Sequence, residues 1–148
     1  MLRTLFDTSV LIAAFEVNHP KHQICLPWLQ QVQSMEKTGI ISTHSLAEIY
    51  GVLTTLPVKP PISPQSAQKL ITCNLERFEL ILLSGRDYHT VINNLANLGL
   101  TGSSIYDGLI AHAAIKSQAD VLLTLNPHNF QQFGPEIAKL IVPVKLQG

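Results

Sequence analysis

The chain has 148 residues, of which 46% are hydrophobic and 14% are charged. This composition excludes an intrinsically disordered chain, and the length suits one hydrophobic core, so we expect one domain over residues 1–148. Ten basic and ten acidic residues cancel, which excludes a general positive field of the kind that binds phosphates without regard to sequence.

The sequence also predicts where the protein resides. No apolar run approaches the roughly 20 residues that a membrane-spanning helix needs. Asp7 interrupts the apolar N-terminal stretch at the place where a secretion signal has its hydrophobic centre. We therefore expect a cytoplasmic protein that makes no membrane contact.

The pattern of apolar residues predicts alternating strands and helices. In chain order the predicted elements are a strand over 2–6, helices over 10–16 and 22–37, a strand over 40–42, helices over 43–56 and 66–77, a strand over 78–83, helices over 87–98 and 103–117, and strands over 121–125 and 141–144. Gly39 is expected to end the second helix. The continuous apolar run 121–125 predicts a strand buried on both faces. Strands separated by helices in this order predict a three-layer α/β/α domain with a central parallel sheet.

Three acidic residues stand in apolar surroundings, with no arginine or lysine evident as a partner. They are Asp7 after Leu5-Phe6, Glu48 before Ile49-Tyr50, and Asp107 after Ile105-Tyr106. An isolated carboxylate is costly to bury, so each of these acids needs a cation, a hydrogen-bond network or a metal ion. In contrast, we expect a second group of acids, with polar neighbours, to lie on the solvated surface: Glu36, Glu76, Glu79, Asp87 and Glu136.

The three acids are expected to converge at one edge of the sheet. Ligands of open parallel sheets bind outside the carboxyl ends of the strands, where Asp7 falls. Clustered carboxylates raise one another's pKa, and a hard divalent cation relieves this repulsion. We therefore expect a Mg²⁺ or Mn²⁺ site that supports phosphodiester hydrolysis by water. Each acid alone also fits a plainer interpretation, as a helix N-cap or a solvated side chain.

Four segments resemble the motifs of one known family. They are Leu5-Phe6-Asp7-Thr8-Ser9-Val10-Leu11, Ser45-Leu46-Ala47-Glu48-Ile49, Ser104-Ile105-Tyr106-Asp107-Gly108-Leu109-Ile110-Ala111 and Val121-Leu122-Leu123-Thr124-Leu125-Asn126. They look like the three acidic motifs and the closing strand of the PIN-domain family, and within it of the toxin ribonucleases of VapC type. Each motif alone is weak, but the four occur in the family's order and span almost the whole chain.

This resemblance implies a PIN-like fold and a metal-dependent endoribonuclease that cuts RNA. It also implies a partner antitoxin and a homodimer. By resemblance, Asp7 and Asp107 ligate Mg²⁺ or Mn²⁺, and Glu48 completes the acidic pocket. Thr8 or Ser9, together with Thr124, support the pocket by hydrogen bonds.

At the family's fourth acidic position, this sequence departs from the family's pattern. Asn126 or Asn129 stands there, and we place Asn126 among the catalytic positions although an amide carries no charge and accepts no proton. This departure keeps open a PIN-fold binding or regulatory module with weakened catalysis. An aspartate-based phosphatase of haloacid dehalogenase type is a further alternative, but it requires a second acid where Ser9 stands.

Two histidines accompany these motifs. His44 precedes Glu48 by four residues. One interpretation places it in the crevice of the three acids, but we expect it to cap the helix or to contact solvent. His112 is expected to be a packed, hydrogen-bonded side chain.

Overall fold

A computed structural model describes residues 1–145 of the chain. Its strands are β1 (Arg3–Phe6), β2 (Thr38–Ser42), β3 (Glu79–Ile81), β4 (Val121–Thr124) and β5 (Ile141–Pro143). Its helices are α1 (Thr8–Phe15), α2 (His22–Gln33), α3 (Thr43–Leu53), α4 (Pro64–Asn74), α5 (Gly85–Leu98), α6 (Ser104–Lys116), α7 (Pro127–Gln131) and α8 (Pro135–Ala138).

The strands form one parallel sheet in the order β3-β2-β1-β4-β5. The chain moves outward on one side of β1 through β2 and β3, and then returns to the other side of β1 as β4 and β5. The carboxyl end of β1 therefore lies at the point where the connections diverge, which is where open α/β sheets bind their ligands. The predicted central parallel sheet is confirmed.

Helices cover both faces of this sheet, because successive strand residues point to opposite sides. Leu5, Ile40 and Leu122 pack into the core beneath α5 and α6. Their neighbours along the strands, Phe6, Ile41 and Leu123, pack into the core beneath α1, α2 and α3. The three-layer α/β/α architecture is thus confirmed.

The second helix ends earlier than the sequence pattern predicts. Helix α2 stops at Gln33, and Met35 follows with a φ of 66°, a left-handed conformation that ends helices. Gly39, expected to end this helix, instead lies in β2, where a Cβ would come within 2.7 Å of Phe78 and Val32. Gly39 is therefore required for close packing of the strand and not for the end of the helix.

Two short helices, α7 and α8, were not expected from the sequence. Each begins with a proline, Pro127 or Pro135, a residue that suits the first turn of a helix because its missing N–H needs no partner there. Phe130 and Ile137 anchor these two helices in the core. Within residues 1–145, no helix combines the length and the apolar character that crossing a bilayer would require.

Candidate active site

Strand pairing places Asp7 beside Thr124. Phe6 pairs with Leu123 in the register of β1 and β4, and the backbone N–H of Asp7 extends that ladder by donating to the carbonyl oxygen of Leu123 at 2.9 Å. The next residue on each strand is Asp7 or Thr124, so the two side chains meet at the carboxyl edge of the sheet. Asp7 is only 5% exposed there.

Two hydroxyl groups hold the Asp7 carboxylate. Ser9 Oγ donates to Asp7 Oδ2 at 2.7 Å, and Thr124 Oγ1 donates to the same oxygen at 2.8 Å. Each hydroxyl also accepts a backbone N–H, Ser9 from Leu125 at 3.3 Å and Thr124 from Asn126 at 2.9 Å. Those bonds orient the hydroxyl groups so that their protons point at Asp7.

Thr8 contributes to the site through its backbone, whose hydrogen bond lowers the pKa of Asp7. Its side-chain oxygen is buried and has no hydrogen-bond partner within residues 1–145. The structure therefore gives Ser9 and Thr124, and not the Thr8 hydroxyl, direct contact with the Asp7 carboxylate.

Helices α3 and α6 carry the other two acids. Ser42 ends β2, a strand that pairs with β1, and its Oγ caps α3 by accepting the backbone N–H of Ser45 at 3.2 Å. Helix α3 therefore starts at the carboxyl edge of the sheet and carries Glu48. Asp107 lies in the first turn of α6, and both Asp107 and Glu48 are partly buried.

The charges of the three carboxylates act on one another. Burial and the nearby Glu48 raise the pKa of Asp7, although the hydrogen bonds from Ser9 and Thr124 oppose this shift. Burial, followed by the charges of Asp7 and Glu48, raises the pKa of Asp107 to about 6. No lysine or arginine forms an ion pair with any of the three within residues 1–145. The pocket thus concentrates negative charge without a cationic side chain to balance it.

His44 and Tyr106 belong to the same pocket. His44 Nε2 lies 3.4 Å from Glu48 Oε2, yet both atoms are buried and neither makes a hydrogen bond within residues 1–145. The His44 ring stacks on Tyr106 with a centroid separation of 5.2 Å and an interplanar angle of 5°. His44 does not cap α3, because the Ser42 side chain does so; its own side chain is 19% exposed and lies beside Glu48. Tyr106 was missed, although its place directly before Asp107 was a signal for it.

The two asparagines of the fourth acidic position differ in their places. Asn126 precedes α7, and its backbone N–H donates to Thr124 Oγ1 at 2.9 Å, so Asn126 adjoins the pocket. Asn129 lies one turn later in α7. Both residues are exposed, and the assignment of Asn126 to the fourth position stays a prediction.

The donor set suits a hydrated divalent cation. Within residues 1–145, no group of three or more His, Cys, Asp or Glu side chains is arranged to hold a metal ion by itself. Mg²⁺, however, takes oxygen ligands, retains several waters and uses only one or two carboxylates directly. Asp7 and Asp107, with uncompensated charge and raised pKa values, fit that requirement.

A family model described as PIN domain matches residues 4–134. The chain belongs to the PIN-domain family. Among curated relatives of this PIN domain is Ribonuclease VapC27 of Mycobacterium tuberculosis, with 34% identity over 78% of this chain and 79% of the relative. Ribonuclease VapC40 of the same species is 28% identical over 78% of this chain and 81% of the relative. The resemblance expected from the sequence motifs is confirmed.

Solved structures share the PIN fold with this chain. VapBC2 from Rickettsia felis, bound to a DNA fragment from its promoter, aligns with a TM-score of 0.69 at 22% identity, covering 97% of this chain and 100% of that one. VapC20 of Mycobacterium tuberculosis, described as a toxin that cleaves the sarcin–ricin loop, aligns with a TM-score of 0.64 at 14% identity, covering 80% and 86%. At these identities the likeness supports the fold alone.

Proposed function

We propose that this PIN domain is an endoribonuclease of VapC type, the toxin of a toxin–antitoxin pair, and that it hydrolyses RNA with Mg²⁺ or Mn²⁺ bound at Asp7 and Asp107. Curated relatives with the name ribonuclease support the reaction class. The observation that carries the proposal is the group of Asp7, Glu48 and Asp107. Burial, together with neighbouring carboxylate charge, raises the pKa values of both aspartates, and no lysine or arginine of the described chain forms an ion pair with them.

Each residue of the pocket has a proposed role. Asp7 and Asp107 hold the ion, which when bound supplies positive charge and Lewis acidity beside the scissile phosphate. Ser9 and Thr124 fix the orientation of Asp7 through the hydrogen bonds at 2.7 Å and 2.8 Å. Glu48 completes the negative pocket, and its charge adds to the effects that raise the pKa values of the two aspartates.

The proposed partners follow from the relatives. The Rickettsia felis structure contains VapBC2, and we propose a protein antitoxin as the partner of this chain also. A homodimer is proposed with it. Both proposals are tested by the mass of the particle that the chain forms alone and with the product of an adjacent short reading frame.

The fourth acidic position favours a second candidate function. Asn126 and Asn129 leave that position without charge, which suits a binding or regulatory module with weakened turnover. The phosphatase alternative loses support, because the Ser9 hydroxyl at the place of the required second acid donates a hydrogen bond to Asp7.

The test is cleavage of a mixed RNA pool by the purified full chain. We expect cleavage with Mg²⁺ or Mn²⁺ and none with EDTA, and no cleavage by the double variant Asp7→Asn/Asp107→Asn with either ion. Cleavage that survives both treatments would reject the proposed metal site. Absence of cleavage by the unaltered protein under all conditions would favour the binding-module alternative.

A further inference from the structure

Tyr106 presents an aromatic ring at the edge of the acidic pocket. It directly precedes Asp107 in the first turn of α6 and is 47% exposed. The ring of His44 stacks on it, nearly parallel, with the centroids 5.2 Å apart. About half of the residue remains accessible to a ligand.

The stack holds Tyr106 in one orientation. His44 lies in the first turn of α3, its side chain is only 19% exposed, and its Nε2 lies 3.4 Å from Glu48 Oε2. The largely buried position of His44 in α3 therefore restricts its ring, which stacks on the ring of Tyr106. A ring that is already immobilised loses little conformational entropy when a ligand stacks on it.

The charge of the chain points to what such a ring binds. The net charge of zero gives the protein little general attraction for phosphates, and the acidic pocket repels them until a cation is bound. Stacking on an aromatic ring does not depend on charge, and it is a common way for proteins to bind unpaired bases of RNA. An RNA chain whose phosphate lies at Asp7 and Asp107 brings a neighbouring base close to Tyr106.

We propose that Tyr106, supported by His44, is a stacking site for an unpaired nucleobase adjacent to the phosphate that is cut. This inference rests on the proposed ribonuclease function and deepens it by naming a residue that positions the substrate. A base inside a duplex is stacked on its neighbours and leaves no face free for Tyr106, so a duplex binds this site poorly.

Binding is measured separately from cleavage, with the unaltered full chain as the background and Ca²⁺ in place of Mg²⁺, so that both aspartates keep a divalent cation. The probe is a labelled single-stranded RNA of mixed sequence, and the readout is fluorescence anisotropy. We expect Tyr106→Leu to weaken binding by roughly 5–100-fold, the range that loss of one base–aromatic stack produces. Tyr106→Phe keeps the ring and is expected to bind within about twofold of the background, since stacking needs only the aromatic face.

Tyr50→Leu is the matched control. Tyr50 is 43% exposed and lies on α3, two residues beyond Glu48 and therefore roughly 200° around the helix axis from it. It makes no aromatic contact within residues 1–145. We expect Tyr50→Leu to leave RNA binding unchanged. Melting temperatures of all variants show whether a loss of binding reflects a loss of folded protein.

An abasic nucleotide identifies the stacked base. Once the cut bond is known, abasic residues are placed in turn on either side of it. We expect one such position to weaken binding to the background protein as much as Tyr106→Leu does, and to weaken binding to the Tyr106→Leu protein no further. Independent, additive losses would overturn the inference, and so would a Tyr106→Leu protein that binds the intact RNA as tightly as the background protein does.

The outcomes separate this inference from the proposed function. If the unaltered protein cleaves RNA but Tyr106→Leu does not change RNA binding, the stacking site is overturned and the ribonuclease function is still supported. Tyr106-dependent binding of RNA without cleavage would support the stacking site and reject the ribonuclease. No binding of single-stranded RNA at all would overturn the stacking site.

Discussion

Asp7 and Asp87 are both largely covered aspartates, but their surroundings differ in charge. Asp87 accepts hydrogen bonds from Lys116 Nζ at 2.6 Å, from His112 Nε2 at 2.8 Å and from the backbone N–H of Ser84 at 2.7 Å. These donors, Lys116 first, hold the pKa of Asp87 far below its usual range. Asp7 receives hydroxyl donors and no cation, and burial raises its pKa.

The difference separates an acid that supports the fold from acids that are available to a ligand. Asp87 forms a capping box with Ser84 at the start of α5 and binds Lys116 and His112 on α6, so it fastens the two helices together. Asp7 and Asp107 retain negative charge that nothing in the described chain neutralises. Uncompensated charge of this kind in a cleft is typical of functional sites.

The largest effect is expected when Asp7 and Asp87 are each replaced and RNA cleavage is measured. We expect Asp7→Asn to lower the rate of RNA cleavage by more than the roughly 10–100-fold that loss of a hydrogen bond to a metal ligand produces, because here the proposed ligand itself is changed. Asp87→Asn is expected to stay within about threefold of the unaltered protein, since Asp87 only links α5 and α6. Equal losses of cleavage activity in the two variants would contradict the distinction between Asp7 and Asp87.

A smaller loss is expected when the support of Asp7 is removed. Thr124→Val keeps the shape of the side chain but deletes the hydroxyl that donates to Asp7 Oδ2 at 2.8 Å. We expect cleavage to fall by about 10–100-fold, the range for partners of metal ligands, with a matching loss of metal affinity. Thr124→Ser restores a donor and is the control, with most of the activity expected to return. Full activity of Thr124→Val would show that Ser9 alone orients Asp7.

Replacing Asp107 and replacing Asp87 should change the free energy of unfolding in opposite directions. The pKa of Asp107 is raised to about 6 in the folded protein. Between the ordinary carboxyl pKa and pH 6, Asp107 therefore stays protonated in the folded protein but is ionised in the unfolded chain. Above that window, ionised Asp107 destabilises the fold. In EDTA at pH 7.5 we expect Asp107→Asn to raise the free energy of unfolding by roughly 1–2 kcal/mol, a value reduced for solvent screening, and this gain should shrink by more than half at pH 4.5.

Asp87→Asn is the counterpart in that experiment. Since the pKa of Asp87 is lowered in the folded protein, its contribution is present above the ordinary carboxyl range and is lost as pH falls below it. We expect Asp87→Asn to lower the free energy of unfolding by roughly 1–2 kcal/mol at pH 7.5 and also at pH 4.5, from the weakened cap and the lost charged hydrogen bonds. Urea denaturation at both pH values measures both variants. A gain for Asp87→Asn or a loss for Asp107→Asn at pH 7.5 would contradict the comparison.

The sequence predicted the parallel sheet and the neighbourhood of Asp7 because both follow from short segments. Apolar runs define the central strands, and a residue directly after β1 or at the end of β4 must lie at the carboxyl edge. Ser9 and Thr124 were therefore predicted together with the motifs in which they stand. The roles proposed for these residues remain predictions.

Contacts between helices could not be read from the sequence in the same way. Asp87 was expected on the solvated surface, and this was wrong, because its side chain is only 13% exposed between two helices. Lys116 is 29 residues away in the chain, and no local pattern indicates that it meets Asp87. The stack of His44 on Tyr106 likewise depends on how α3 and α6 pack.

The most direct test of the account is Mn²⁺ binding, followed by electron paramagnetic resonance of the free ion. The unaltered protein, the Asp87→Asn variant and the Asp7→Asn/Asp107→Asn variant are titrated under the same conditions. We expect equal binding by the first two proteins and loss of binding by the third. Binding of equal strength by all three, or by none, would contradict a cation site built on Asp7 and Asp107.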